Sequence, residues 1–205
     1  RELHLYGHSF PTRRLPILHN HLGALRQLLT RQKWTEAMDY LDQLQAPIQN
    51  MTDTVWTGDD AADYLINRKA AEAKAAGIRY QANVEFPRHT NLQSADLCAI
   101  LGNLLDNALE AAGQVAQPDQ RFVQLTIRRI HQMLVIKVEN RFATRPIEAA
   151  GVLQTTKEAG GLHGWGLKSA QAAAAKYDGM VQTSFTGQVF RAVVTLSYQG
   201  VSTEG

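Results

Sequence analysis

The chain has 205 residues, 44% of them in the hydrophobic set and 20% charged, with 21 Lys and Arg against 19 Asp and Glu. That is apolar material enough for a core and length enough for one domain plus a smaller module, which argues against global disorder and against two large domains. A net charge of +2 lacks the basic stripe that nucleic-acid binding requires. No stretch approaches the roughly 18 uninterrupted apolar residues of a membrane span. The chain opens at Arg1 with no signal-peptide pattern, so any membrane attachment is expected through a region absent from this chain. The single cysteine, Cys98, closes no intrachain disulfide; it reads as a small buried hydrophobe and favours a reducing compartment.

Leu15, Leu18, Leu22, Leu25 and Leu29 recur at spacings of 3 and 4, one narrow stripe along a helix. After a turn at Arg31-Gln32-Lys33, a second stripe runs through Ala37, Leu41, Leu44, Ile48, Met51 and Val55. Two antiparallel helices result, with Pro47 expected to kink or break the second. Such a hairpin buries too little surface to stand alone. It is satisfied by pairing with a second copy into a four-helix bundle, a homodimer, or by packing on its own globular domain. Gly58-Asp59 marks the break, dividing the chain into a dimerisation module over 1–57 and a second domain over 58–205.

In the second domain Asp59 is placed to cap a helix that runs through Ala76 and stops at Gly77. Ile78, Tyr80, Ala82, Val84 and Phe86 then alternate at period two, a half-buried strand. Ser94 is placed to cap the next helix. Val123, Leu125 and Ile127, then Leu134, Ile136 and Val138, alternate about a turn at Arg129 to Gln132. Arg141 to Gly161 shows no durable period and contains Pro146, which predicts a mobile loop, a possible lid. A helix over Trp165 to Tyr177 ends at Gly179, and two closing strands flank Gly187. The order predicts an α+β fold with helices on one face of a mixed sheet.

Two features carry chemistry. Between Leu97 and Ala112 the apolar residues take one helical face, while Asn103, Asp106, Asn107 and Glu110 fall within an arc of about 100° opposite. Any surface helix has a polar face, but asparagine is a poor helix former, and two amide oxygens stacked with a carboxylate suit a hard cation such as Mg²⁺. The second feature is Gly160, Gly161, Gly164 and Gly166, just before the helix expected near Trp165. Glycines let consecutive N–H groups face one concavity, and a helix start adds a positive dipole end, so a phosphate would fit. Thr156 and Lys157 add a hydroxyl and a cation nearby, though Lys157 also reads as a solvated loop charge.

The segment Asn103-Leu104-Leu105-Asp106-Asn107-Ala108, the strand end Val138-Glu139-Asn140, the pair Thr156-Lys157 and the run His163-Gly164-Trp165-Gly166-Leu167 together resemble one family. It is the GHKL-type ATP-binding domain of gyrase, heat-shock chaperone, histidine kinase and MutL, in the branch of peptide quorum-sensing sensor kinases of Agr type. The hairpin, with Trp34-Thr35-Glu36-Ala37, is similar to that branch's dimerisation module. The resemblance implies a Bergerat-type α/β sandwich holding ATP, with Asn107 and Asn103 on the Mg²⁺ side and Asn140 against the adenine edge. His163, Gly164 and Gly166 would lie along the phosphates with the preceding loop as the lid, and Thr156, Lys157, Gly161 and Leu167 would also belong to the cofactor-binding set. Gyrase-like relatives hold a water-activating glutamate at the position of Asn103; an amide is no base, so hydrolysis is disfavoured and phosphoryl transfer favoured. The implied protein is the cytoplasmic part of a bacterial sensor kinase that serves a response regulator.

One departure matters. Aligning on Asn20-His21-Leu22 puts Leu15, Pro16 and Ile17 where the branch carries Arg-His-Asp, the histidine being the phosphoryl acceptor. Proline has no nucleophile and is tolerable only near a helix start. Either the chain binds ATP as a degenerate kinase and scaffold, or another histidine substitutes. His19, three residues on, lies near the same face, and it also reads as an ordinary exposed residue; His21 faces elsewhere. His4 and His8 sit in an irregular segment with no carboxylate neighbour beyond Glu2 to orient them.

Overall fold

A computed structural model of the chain describes residues 14–44, 54–143, 147–149, 152–154 and 163–200, with side chains described over 20–41, 54–143 and 166–200. The chain divides into two compact units, Arg1–Asn50 and Met51–Gly205.

In the first unit α1 (Arg14–Thr30) and α2 (Trp34–Leu44) pack as a hairpin. The turn between them uses Gln32 at a φ of 56°, and Lys33 N–H donates to Leu28 O at 3.0 Å. Pro16 is the third residue of α1, in the first turn, where its missing N–H costs no helical bond. Ala37 is buried between the helices, and His21 Nδ1 shares a 2.7 Å hydrogen bond with the Tyr40 hydroxyl. Leu22 is 57% exposed, and Leu29, Trp34 and Met38 are also exposed. Among the described residues of this unit no third element covers them.

The second stripe does not continue to its end. Val55 lies outside any helix and is 77% exposed, because the chain there is tied to the second unit. Trp56 Nε1 donates to Asn67 Oδ1, and Asn67 Nδ2 donates to Thr54 O, both at 2.9 Å. Pro47, Ile48 and Met51 lie outside the described residues.

The second unit begins with α3 (Asp60–Ala75), capped as expected: Asp59 accepts Ala62 N–H at 2.9 Å. Buried Asp63 accepts the Thr57 and Gly58 N–H groups at 2.7 and 3.1 Å and so pins the chain entering the helix. Gly77 ends it at a φ of 65°. Then follow β1 (Arg79–Val84), α4 (Ser94–Gly113), β2 (Phe122–Ile130), β3 (Met133–Arg141), β4 (Ile147–Ala149), β5 (Val152–Gln154), α5 (His163–Ala175), β6 (Met180–Thr186) and β7 (Val189–Ser197).

The sheet order is β1-β2-β3-β7-β6, with β1 and β2 parallel and the other pairs antiparallel. Helix α3 packs on β1, α4 on β2 and β3, and α5 on β6 and β7. Strand alternation therefore sorts the residues: Val123, Leu125, Ile127, Leu134, Ile136, Val138, Val194 and Leu196 are buried beneath Leu97, Ile100, Leu101, Leu104 and Leu105 of α4. At the opposite positions of the strands no residue is buried. The mixed sheet with helices on one side agrees with the expected architecture.

Three local expectations are corrected. Ser94 does not cap α4; it is the first helical residue, and its hydroxyl hydrogen-bonds Asp59 Oδ2 instead. The segment after Arg141 contains the two-stranded β4–β5 sheet, whose three-residue strands are too short to show a period. Helix α5 starts at His163, so Gly164 and Gly166 belong to its first turn and do not precede it. Among the described residues, no helix is long and apolar enough to cross a membrane.

Candidate functional site

Chain direction brings the amide residues together with the glycine-bearing helix. Helix α4 joins the parallel strands β1 and β2, so it runs against both and with β3. Its C-terminal half, with Asn107 and Glu110, therefore lies toward the end of β3 that carries Asn140. Its N-terminal end lies at the other, where Asn91 N–H donates to Gln199 O at 3.2 Å. Asn140 is 1% exposed and sits on the helix-facing row, opposite Val123 and Phe190.

Helix α5 packs on α4 in the opposite direction. Its first turn stands at Asn103, where a Cβ on Gly166 would come within 3.0 Å of Asn103 Oδ1. Just beyond its last turn, Lys176 Nζ and the Tyr177 hydroxyl donate to Asp96 at 2.6 and 2.7 Å. The N-terminus of α5, with its unpaired N–H groups and positive dipole end, thus opens beside Asn103 on the side toward the Asn140 end. The chain leaves this end at Arg141 and returns to it at His163.

The polar arc of α4 is divided between two tasks. Asn103 Nδ2 donates back to Ala99 O at 2.6 Å, which turns the amide oxygen toward α5. Asp106 is taken away from the site, because Lys69 of α3 donates to it at 2.7 Å and to Glu72 at 2.7 Å. Burial alone would lower the Lys69 pKa, but those carboxylates hold the ammonium above its ordinary value. Of the two carboxylates on the arc, Asp106 is therefore paired with α3 and not with the amides.

Among the described residues no group of three or more His, Cys, Asp or Glu could hold a metal ion. Apart from Glu110, the donors that remain on the arc are neutral amide oxygens. They fit a cation that arrives already bound to phosphate oxygens and water, more than one held by protein alone.

Of the other expected site residues, Asn140 Nδ2 donates to Arg141 O at 3.0 Å. Leu167 is half-buried against the core and anchors α5. His163 and Gly164 are the first two residues of α5. Thr156, Lys157 and Gly161 lie outside the described residues, as do the side chains of His163 and His19. A cleft of about 360 Å³ lined by Thr57, Asp59, Phe86, His89 and Leu97 lies at the opposite end, by the start of α4. None of the expected site residues lines it.

Sequence reasoning missed the latch that sets α5 on α4. Hydrogen bonds from Lys176 and Tyr177 hold the Asp96 carboxyl below the usual carboxylate range. Burial, with the bond to Asp96, pushes the Tyr177 phenol up. The only local signal was an acidic residue in the first turn of α4, which reads equally well as a dipole partner.

A family model described as the GHKL domain matches residues 92–197, from the start of α4 to the end of β7. No curated protein sequence matches the chain. Among solved structures, the nucleotide-free catalytic domain of the histidine kinase ThkA aligns with a TM-score of 0.54 at 14% identity, over 72% of this chain and 97% of that one. Full-length ShkA in complex with AMPPNP aligns with a TM-score of 0.53 at 17% identity, over 77% of this chain and 33% of that one. The Acinetobacter baumannii histidine kinase AdeS aligns with a TM-score of 0.50 at 12% identity, over 88% and 96%. At these identities the likeness is one of fold.

Proposed function

The chain belongs to the GHKL domain family, and from that premise we propose that it is the dimeric, ATP-binding kinase region of a bacterial sensor histidine kinase. The observation that carries the reading is the meeting of Asn103 with the first turn of α5, on a helix whose C-terminal half, with Asn107, lies toward the end of the sheet where Asn140 is buried. Backbone N–H groups at that helix start suit the phosphates. The amide oxygens of Asn107 and Asn103 would hold the Mg²⁺ side, and Asn140 would pair with the adenine edge. Thr156, Lys157, Gly161, His163 and Gly164 would complete the phosphate side.

Bound ATP supplies the γ-phosphoryl group. The protein supplies position and charge neutralisation, which is most of what phosphoryl transfer needs. Asn103 is no general base, which favours transfer to a side chain over hydrolysis. Transfer on to a response regulator, a cytoplasmic location and the quorum-sensing branch rest on the sequence resemblance. The outward Leu22, Leu29, Trp34 and Met38 support a homodimer.

A second reading is supported by Pro16, which occupies the first turn of α1 where the acceptor histidine is expected. In it the chain binds nucleotide as a scaffold and transfers nothing. The test is incubation of the chain with γ-labelled ATP and Mg²⁺, alongside calorimetry with AMPPNP. Acid-labile label that disappears in His19→Ala supports the kinase and names its acceptor. AMPPNP binding without label leaves the scaffold reading. Absence of AMPPNP binding defeats both.

A further inference from the structure

The side of the sheet turned away from the helices is chemically unlike the rest of the chain. Strand alternation and register place Arg79, Arg128, Lys137, Arg141 and Arg191 on it, against Glu139 alone within the strands. Glu85, one residue past β1, leaves the balance positive. A chain whose net charge is +2 therefore carries a net positive excess on this one sheet face, and none of that face is buried among the described residues. At one end the same face exposes Ile130, Met133 and Met180.

The guanidinium groups are already held in place. Arg79 stacks over the Phe122 ring at 5.9 Å. Arg128 donates to Asn83 Oδ1 at 3.0 Å, and Arg141 to Gln188 Oε1. Arg191 pairs with Glu139 at 2.8 Å. Three of these partners are neutral, so Arg79, Arg128 and Arg141 are ordered without being neutralised.

We propose that this sheet face is a docking surface for an acidic protein, one presenting carboxylates beside an apolar patch. Pre-ordered planar forks lose little entropy on meeting carboxylates and favour bidentate, geometrically fixed pairs. An anionic bilayer needs only charge, which mobile lysines supply as well. Arginine in excess of lysine, with exposed methionine, is also the composition of protein–protein interfaces. The inference is independent of the nucleotide reading, since Arg79 and Arg128 lie across the sheet from the helices.

The test uses the full chain and an acidic amphipathic peptide of repeating Glu-Glu-Leu as the probe, with vesicles containing phosphatidylserine as the comparison. The variants are the double changes Arg79→Gln with Arg128→Gln, and Arg79→Lys with Arg128→Lys. The expected result is saturable peptide binding, at least tenfold weaker in both double variants, with AMPPNP affinity and thermal melting unchanged. Binding that survives in the lysine variant but not in the glutamine variant would show charge without guanidinium geometry and overturn the proposal. So would binding to the vesicles alone, or binding to neither probe.

Discussion

Gly166 faces Asn103 so closely that the smallest side chain at 166 would meet the Asn103 amide oxygen at 3.0 Å. Its φ is not in the left-handed region, so what favours glycine there is the approach of two helices and not the backbone angle. The obstacle is the mobile end of a side chain, and it can turn away. Gly166→Ala is therefore expected to cost ~1 kcal/mol or less of stability, while AMPPNP affinity falls about tenfold as the amide is displaced. Thermal melting and calorimetry separate the two effects.

Asn107 and Asp106 are neighbours to which the proposed function gives different duties. Asn107→Ala should weaken AMPPNP binding by about tenfold or more and leave the melting temperature nearly unchanged. Asp106→Asn should do the reverse. It removes one partner of buried Lys69, but the Asp106 side chain is 61% exposed and Glu72 remains, so the loss is about 1 kcal/mol. Equal loss of affinity in both variants would contradict the division of the polar arc.

The Asp96 latch predicts an acid dependence. Its folded pKa lies below the ordinary 3.8, so the folded state prefers the charged form. That stability is present in full above the ordinary value and is lost as pH falls through the lowered one. Asp96→Asn should cost about 1 kcal/mol near pH 7 and should flatten the fall in stability below pH ~4. Urea unfolding across that range is the measurement.

Gly179 sits where no side chain can. A Cβ would stand 2.1 Å from Thr195 O and 2.8 Å from Ala174 O, and both atoms are backbone. Relief requires moving β7 or the end of α5. Gly179→Ala is expected to destabilise the second unit by ~3 kcal/mol or more, seen as a large drop in melting temperature or loss of soluble protein.

The exposed leucines of α1 predict self-association. Leu22 and Leu29 lie seven residues apart on one side of the helix. Sedimentation should find a dimer, and Leu29→Glu should shift it toward monomer, since a buried unpaired carboxylate at the seam costs several kcal/mol.

Much of the candidate site was legible because its signals are local. The apolar and amide faces of α4 are written at helical spacing within one segment, and Leu104, Leu105 and Ala108 are buried where that spacing puts them. Asp59 and Gly77 end α3 through contacts only a few residues long. The β4–β5 pair escaped because three residues carry no period. The first turn of α5 was misread because glycine commonly marks a loop, and here it marks a close helix crossing.

The sequence by itself determined the elements, the apolar stripe of α4 and the alternation of the central strands, because periods of 3.6 and 2 are properties of neighbouring residues. Tertiary structure decided which of those polar residues remain at the site. Lys69 claims Asp106 from another helix, and Asp96 fastens a helix end 80 residues away. It also decided that Arg79 and Arg191 share one sheet face. Those placements follow from crossover direction and strand register, which bring distant residues together and leave no trace in local spacing.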